Sequence, residues 1–211
     1  MKLDDIRTDY LKGALDREHM NIHPVSQFAY WMDQAVKAKV NEPTAMTLAT
    51  ADAYGKPSAR IVLLKHFDHE GFVFYTNFSS RKGSQLEANT YGALLFFWPE
   101  LERQVRIEGP VVHGSDKAAE EYFSKRPYES QISALTSPQS ERVPNREYLE
   151  KRVKENKEKY PEGKVPKPDD WGGYRLKPEY FEFWQGRTNR LHDRFRYTLI
   201  DDDWRIERLA P

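Results

Sequence analysis

Hydrophobic positions along the chain change period once, near residue 44. Before it, Leu3, Ile6, Tyr10 and Leu11 predict a short helix over residues 3–15. Val25, Phe28, Met32, Ala35 and Val36 predict a firmer one over 24–40, with Pro24 at the first turn, where a missing N–H costs nothing. After it, apolar and polar residues alternate as in strands. TAMTLAT (44–50) and PSARIVLLK (57–65) read as a hairpin around DAYG, and GFVFYT (71–76), YGALLFFW (91–98) and RQVRIEGPVVHG (103–114) read as further strands. Serines cap predicted helices over 79–89 and over DKAAEEYFSKR, followed by helical pieces at 127–135 and 145–160. A loop rich in proline and charge (162–170) precedes four closing strands, WGGYRLK, YFEFWQ, DRFRYTLI and WRIERL.

About eight strands with no strand–helix rhythm predict a mainly β fold, an antiparallel barrel with flanking helices. Only four strands follow the 162–170 loop, too few for a second barrel, so the chain reads as one domain over 1–211 with a helical N-terminal segment over about 1–40.

Composition narrows the function. Lys+Arg and Asp+Glu both number 33, so no general excess of positive charge recommends nucleic acid or an anionic membrane as partner. The absence of cysteine removes thiol catalysis and thiolate metal sites. No apolar run approaches the ~18 residues of a spanning helix, and the polar N-terminus has no signal core, which together predict a cytoplasmic protein. His19 and His23, four apart, lack a completing carboxylate and are followed by Pro24, so no metal site is expected; His66 and His69 beside a turn read as surface residues.

The cations are placed less evenly than their number suggests. Arg60 and Lys65 fall on opposite faces of one largely apolar strand. Arg81 and Lys82 occupy the first turn of a predicted helix, where positive charge is unfavourable unless an anion sits there. Tyr122, Arg126 and Ser130, each four apart, offer a phenol, a guanidinium and a hydroxyl, all phosphate donors, although the same spacing also suits a plain polar helix face. The densest group is FWQGRTNRLHDRFRY (183–197): with RLHDR read as the start of a strand, Arg190, His192 and Arg194 share one face beside Trp184. No glycine-rich phosphate loop accompanies any of these.

Together RIVLLK, FYTN with SSRK, LERQV, the SQ and PQS elements at 130–140, WGGYR, FWQG, RLHDRF and the terminal RLAP resemble the pyridoxine/pyridoxamine 5'-phosphate oxidase family, in family order from residue 44 onward. The resemblance implies an FMN-binding split barrel that works as a homodimer with FMN at the subunit interface. It implies FMN contacts from Arg60, Ile61, Val62, Leu63, Leu64, Lys65, Tyr75, Thr76, Arg81, Lys82 and Gln104, joined from the other subunit by Gln139, Ser140, Trp184 and Arg194. It implies that Lys65, Tyr122, Arg126 and Ser130 meet the substrate phosphate, that Arg190, Leu191 and His192 lie at the substrate ring with Arg190 and His192 nearest the chemistry, and that Arg7 and Tyr10 belong to a lid.

The implied reaction is oxidation of pyridoxamine or pyridoxine 5'-phosphate to pyridoxal 5'-phosphate, with hydride passing from C4' to flavin N5 and O2 leaving as H2O2. The rival expectations are a split-barrel flavoprotein acting on another phosphorylated substrate and a non-catalytic FMN- or pyridoxal-phosphate-binding protein.

Overall fold

The computed structural model describes residues 9–211. Ten strands form one antiparallel sheet: β1 (Ala45–Ala51), β2 (Pro57–Leu63), β3 (His66–Asp68), β4 (Gly71–Asn77), β5 (Tyr91–Trp98), β6 (Arg103–His113), β7 (Trp171–Leu176), β8 (Tyr180–Gln185), β9 (Asp193–Ile200) and β10 (Asp203–Leu209). The main path runs β10-β9-β8-β6-β5-β1-β2, while β7 joins β4 to β6. Among the described residues five helices flank it: α1 (Pro24–Lys37), α2 (Arg81–Ala88), α3 (Asp116–Ser124), α4 (Tyr128–Thr136) and α5 (Arg146–Lys159). Among the described residues no helix is long and apolar enough to cross a membrane.

The sheet divides along β6. Residues Arg103–Glu108 pair with β8, whereas Val111–His113 pair with β7, so one strand serves two branches. Pro110, which lacks an N–H, falls between the two pairings, where no ladder donor is needed. Gly109 beside it has no room for a side chain: a Cβ there would lie 1.9 Å from the carbonyl oxygen of Lys177.

Strand alternation separates the two faces. Met46, Leu48, Leu94, Phe96, Val105, Ile107, Phe181, Phe183, Phe195 and Tyr197 are buried on the inner face. The α1 helix closes this core: Phe28 packs its ring 5.0 Å from each of Phe67, Phe72 and Phe96, and Trp31 meets Phe183 at 5.2 Å. Removing a ring so buried, as in Phe28→Ala, costs about 3–5 kcal/mol. The outer face carries Ile61 and Phe97, 64% and 53% exposed, an apolar area on strands whose other side is the core.

Several expectations require correction. Residues 9–15 are not helical, and only a 3₁₀ turn at Arg17–His19 follows. The backbone N–H groups of Lys12 and Leu15 donate instead to the carboxylates of Glu102 and Asp193, at 2.8 and 3.0 Å, which draws this segment out as a strap across distant strands. RLHDR does not begin a strand either. Thr188–Arg190 is a 3₁₀ turn with left-handed Asn189 and Arg190, and β9 starts at Asp193, so Arg190, His192 and Arg194 share no strand face. The 24–40 helix ends at Lys37 because Lys39 turns left-handed, and the His66 turn contains the short strand β3.

Candidate active site

A cavity of about 610 Å³ opens where the end of β2, β4, α2 and the α3–α4 corner meet. Ile61, Val62, Leu63 and Lys65 form one wall, Tyr75, Thr76 and Lys82 the floor, and Tyr122, Arg126 and Ser130 the far side, with Gln139 and Trp171 between. The fourfold spacing of Tyr122, Arg126 and Ser130 survives a break in the helix. Arg126 lies between α3 and α4, and Pro127 caps α4, so both helices deliver a donor to the same space.

Three cations stand at the α2 N-terminus. Ser80 caps the helix, accepting from the Gly83 N–H. Lys82 Nζ donates to Thr76 Oγ1 at 2.8 Å, Ser80 Oγ at 3.0 Å and Gln139 Oε1 at 2.9 Å, all neutral oxygens. Burial, and then the Arg60 charge, lower its pKa to about 8. Arg60 points inward and donates to the Leu48 carbonyl at 3.0 Å, Thr50 Oγ1 at 2.7 Å and Gln85 Oε1 at 3.2 Å. Burial and then Arg81 lower its pKa too. Cations whose side-chain bonds among the described residues go only to neutral groups, at a helix N-terminus, suit a phosphate. The donor set therefore fits the FMN phosphate, with the cavity beside it lined by flat aromatic rings.

A second cation group lies across the cavity. The Nη1 atom of Arg126 is buried without a hydrogen-bond partner among the described residues. Its guanidinium rests 4.9 Å from the Trp171 ring centroid, and burial lowers its pKa.

The remaining expected residues form a different group. Gln104 pairs with Trp184 across β6 and β8, and Trp184 pairs with Arg194 across β8 and β9, so the three make one row over the outer sheet face. None of them lines the cavity. Arg194 donates to Glu182 from Nε at 2.8 Å and from Nη2 at 3.0 Å, and to the Ala210 carbonyl at 2.7 Å. Burial alone would raise the Glu182 carboxyl, but Arg194 and Arg106 outweigh it and hold the group below its ordinary value. Trp184, His192 and Tyr10 pack together, with Trp184–His192 centroids at 4.6 Å and Tyr10–His192 at 5.7 Å. His192 Nδ1 accepts from the Arg187 backbone N–H at 3.1 Å, and burial, then Arg190, lower its pKa. Leu191 is 69% exposed.

Of the residues expected from a second subunit, Gln139 instead reaches Lys82 and Thr76 of its own chain, because the loop after α4 folds back over the cavity. Its neighbour Ser140 is left-handed and exposed, away from the cavity lining. Leu64 is a buried core residue. Arg7 lies outside the described residues. Sequence reasoning missed Trp171, Gln85 and Glu182 as site-building residues. Glu182 had a signal, a single acid inside the aromatic strand YFEFWQ; Gln85, one turn beyond Arg81 in a polar helix, had none.

Residues 32–160 match the family described as pyridoxamine 5'-phosphate oxidase, and residues 171–211 match the pyridoxine 5'-phosphate oxidase C-terminal dimerisation region. The pyridoxine/pyridoxamine 5'-phosphate oxidase of Cytophaga hutchinsonii is 53% identical over 99% of this chain and 98% of its own. That of Neisseria gonorrhoeae is 50% identical over the whole of both. PhzG from Burkholderia lata, solved with tetrahydrophenazine-1-carboxylic acid, superposes with a TM-score of 0.86 at 29% identity, covering 94% of this chain and 98% of its own. A pyridoxamine 5'-phosphate oxidase-related, FMN-binding protein from Nostoc punctiforme shares the fold, with a TM-score of 0.72 at 16% identity over 91% of this chain and 100% of its own. By sequence and by fold, the chain belongs to the pyridoxamine 5'-phosphate oxidase family.

Proposed function

We propose that the protein oxidises pyridoxamine 5'-phosphate and pyridoxine 5'-phosphate to pyridoxal 5'-phosphate, with FMN as cofactor and O2 as electron acceptor. The observation that carries this reading is one cavity with cations at two separate places and no acid paired with them among the described residues: Lys82, with Arg60 behind it, on one side, and Arg126 on the other. Two phosphorylated ligands would balance them, with their rings between. Bound FMN supplies the two-electron acceptor that takes hydride from C4' of the vitamer and passes the electrons to O2, giving H2O2.

The chain's own residues bind and orient. Arg60, Arg81, Lys82 and the α2 N-terminus hold the cofactor phosphate. Arg126, Tyr122, Ser130 and Lys65 hold the substrate phosphate, a part remote from the reacting carbon, and so bind substrate and transition state alike.

The second group belongs to the same site in a homodimer. Gln104, Trp184 and Arg194 occupy the outer sheet face beside exposed Ile61 and Phe97, and a second copy covering that face would bring Trp184, Arg190, His192 and Arg194 to the cavity. His192 accepts through Nδ1, so its neutral ring carries the proton on Nε2 and can donate it to the substrate.

The test is aerobic incubation of FMN-loaded protein with pyridoxamine 5'-phosphate, following pyridoxal 5'-phosphate by absorbance and H2O2 by a coupled peroxidase. Equal yields of both are expected. FMN-loaded protein that gives neither product rejects the reading.

A further inference from the structure

Among the described residues Arg126 pairs with no acid and is held by aromatic faces, whereas several other arginines of the chain pair with acids. Arg194 and Arg106 are paired with Glu182, Arg175 with Asp68, and Arg208 with Asp193 and Asp16. The Arg126 guanidinium instead lies 4.9 Å from the Trp171 centroid and 5.5 Å from that of Phe123. A carboxylate in that place would cancel the charge and take up the N–H groups that a phosphate needs. A π face attracts the cation while leaving its donors unused.

Trp171 also begins a stack. Its ring is 5.3 Å from Tyr75 at an interplanar angle of 6°, and Tyr75 is 4.2 Å from Tyr122 at 16°. The tryptophan is 6% exposed, and the two glycines that follow it let neighbouring rings approach, since a Cβ on Gly172 would lie 2.3 Å from the Phe78 ring. One buried indole thus contacts the guanidinium directly and steadies the Tyr122 phenol through Tyr75.

We infer that Trp171 is the positioning residue of the substrate-phosphate pocket: it holds Arg126 charged but unneutralised, with Tyr122 beside it, and so sets the preference for phosphorylated over unphosphorylated B6 vitamers, an inference that rests on the function proposed above. Trp171 touches Arg126 directly and reaches Tyr122 only through Tyr75, so most of the effect of its loss should require Arg126.

A double-mutant cycle on the FMN-loaded protein tests this, with equilibrium binding of pyridoxal 5'-phosphate and of pyridoxal as probes and with steady-state turnover beside it. Trp171→Leu is expected to lower the ratio of the two affinities about tenfold and to raise KM for pyridoxamine 5'-phosphate with kcat nearly kept, at unchanged flavin content. Trp171→Phe, which keeps a smaller π face and stands in if the leucine variant does not fold, is expected to lose about threefold. In an Arg126→Ala background both substitutions should cost much less, leaving only the part that passes through Tyr75 to Tyr122. Equal losses in both backgrounds, or a wild-type affinity ratio in both Trp171 variants, would overturn the inference. A parent protein that binds pyridoxal as tightly as its phosphate would instead overturn the functional reading on which it rests.

Discussion

Lys82 and Gln139, 57 positions apart, meet at the α2 N-terminus, where Lys82 Nζ donates to Gln139 Oε1 at 2.9 Å. An amide oxygen leaves the ammonium uncompensated, and burial brings its pKa to about 8. FMN affinity of the flavin-free protein should therefore be level below about pH 8 and fall above it, by up to about tenfold per pH unit, because the bound phosphate favours the protonated lysine. Calorimetric titration with FMN from roughly pH 7 to pH 9.5 measures this. The slope should vanish in Lys82→Met, and an equal slope in both proteins would exclude Lys82 as its source.

Arg126→Ala removes a charge-assisted donor, a contribution of roughly 1.5–3 kcal/mol. Affinity for pyridoxamine 5'-phosphate should drop by about one to two orders of magnitude, while flavin content stays at the parent level. Unchanged substrate affinity would remove Arg126 from the phosphate site.

The structure separates Arg190 from Arg194. Arg194 is locked on buried Glu182, whereas Arg190 stands in a left-handed turn and pairs with no acid among the described residues. Lysine keeps the charge but loses the planar fork. Arg194→Lys should lower both the melting temperature and FMN retention. Arg190→Lys should melt with the parent and stay yellow, yet lose on the order of tenfold in kcat/KM. Thermal melts read with and without excess FMN distinguish them; a flavin-poor Arg190→Lys beside a flavin-replete Arg194→Lys would reverse the two roles.

His23 introduces an acid-sensitive point. Its Nδ1 accepts from the Val25 N–H at 3.3 Å at the start of α1, and its ring packs 4.5 Å from His69. Burial and then His69 lower its pKa from 6.5, so the unfolded chain takes up a proton before the folded one. The stabilisation is complete above that unfolded value and is lost as pH falls toward the lower folded one. Protonation also sets a positive charge at a helix N-terminus. The melting temperature should decline from about pH 7 to about pH 5, and His23→Asn, which caps without titrating, should flatten that decline. An undiminished decline in the variant would trace the acid effect to other groups.

The strands were legible because their signal is local. YGALLFFW alternates so that Leu94, Phe96 and Trp98 turn inward, and that needs no knowledge of β6 or β1. Spacing grouped Tyr122, Arg126 and Ser130 but suited a plain polar helix face as well, and only the family resemblance made the group a phosphate site; the fold brings all three to one cavity even with Pro127 between two helices. Leu11 and Tyr10 misled because the hydrogen bonds that hold their segment go to Glu102 and Asp193, 90 and 178 positions from their donors. RLHDR misled for a backbone reason: two successive left-handed residues interrupt an alternating pattern, and asparagine enters that region without a glycine to announce it. Trp171 was read as one letter of a family motif, since its use as a seat for Arg126 exists only after β7 and the α3–α4 corner come together.

The strap over residues 10–16 bears on synthesis. Lys12 is bound by Glu102, Leu15 by Asp193, and the carbonyl of Leu15 by Arg208, a donor 193 positions further along. A growing chain can therefore seat Lys12 once Glu102 has emerged, but the second of these anchors waits for Asp193 and the last emerges only with β10. Premature termination before β10 would leave Asp16 and the Leu15 carbonyl without Arg208, and the strap of the truncated barrel held only upstream, at Glu102 and Asp193.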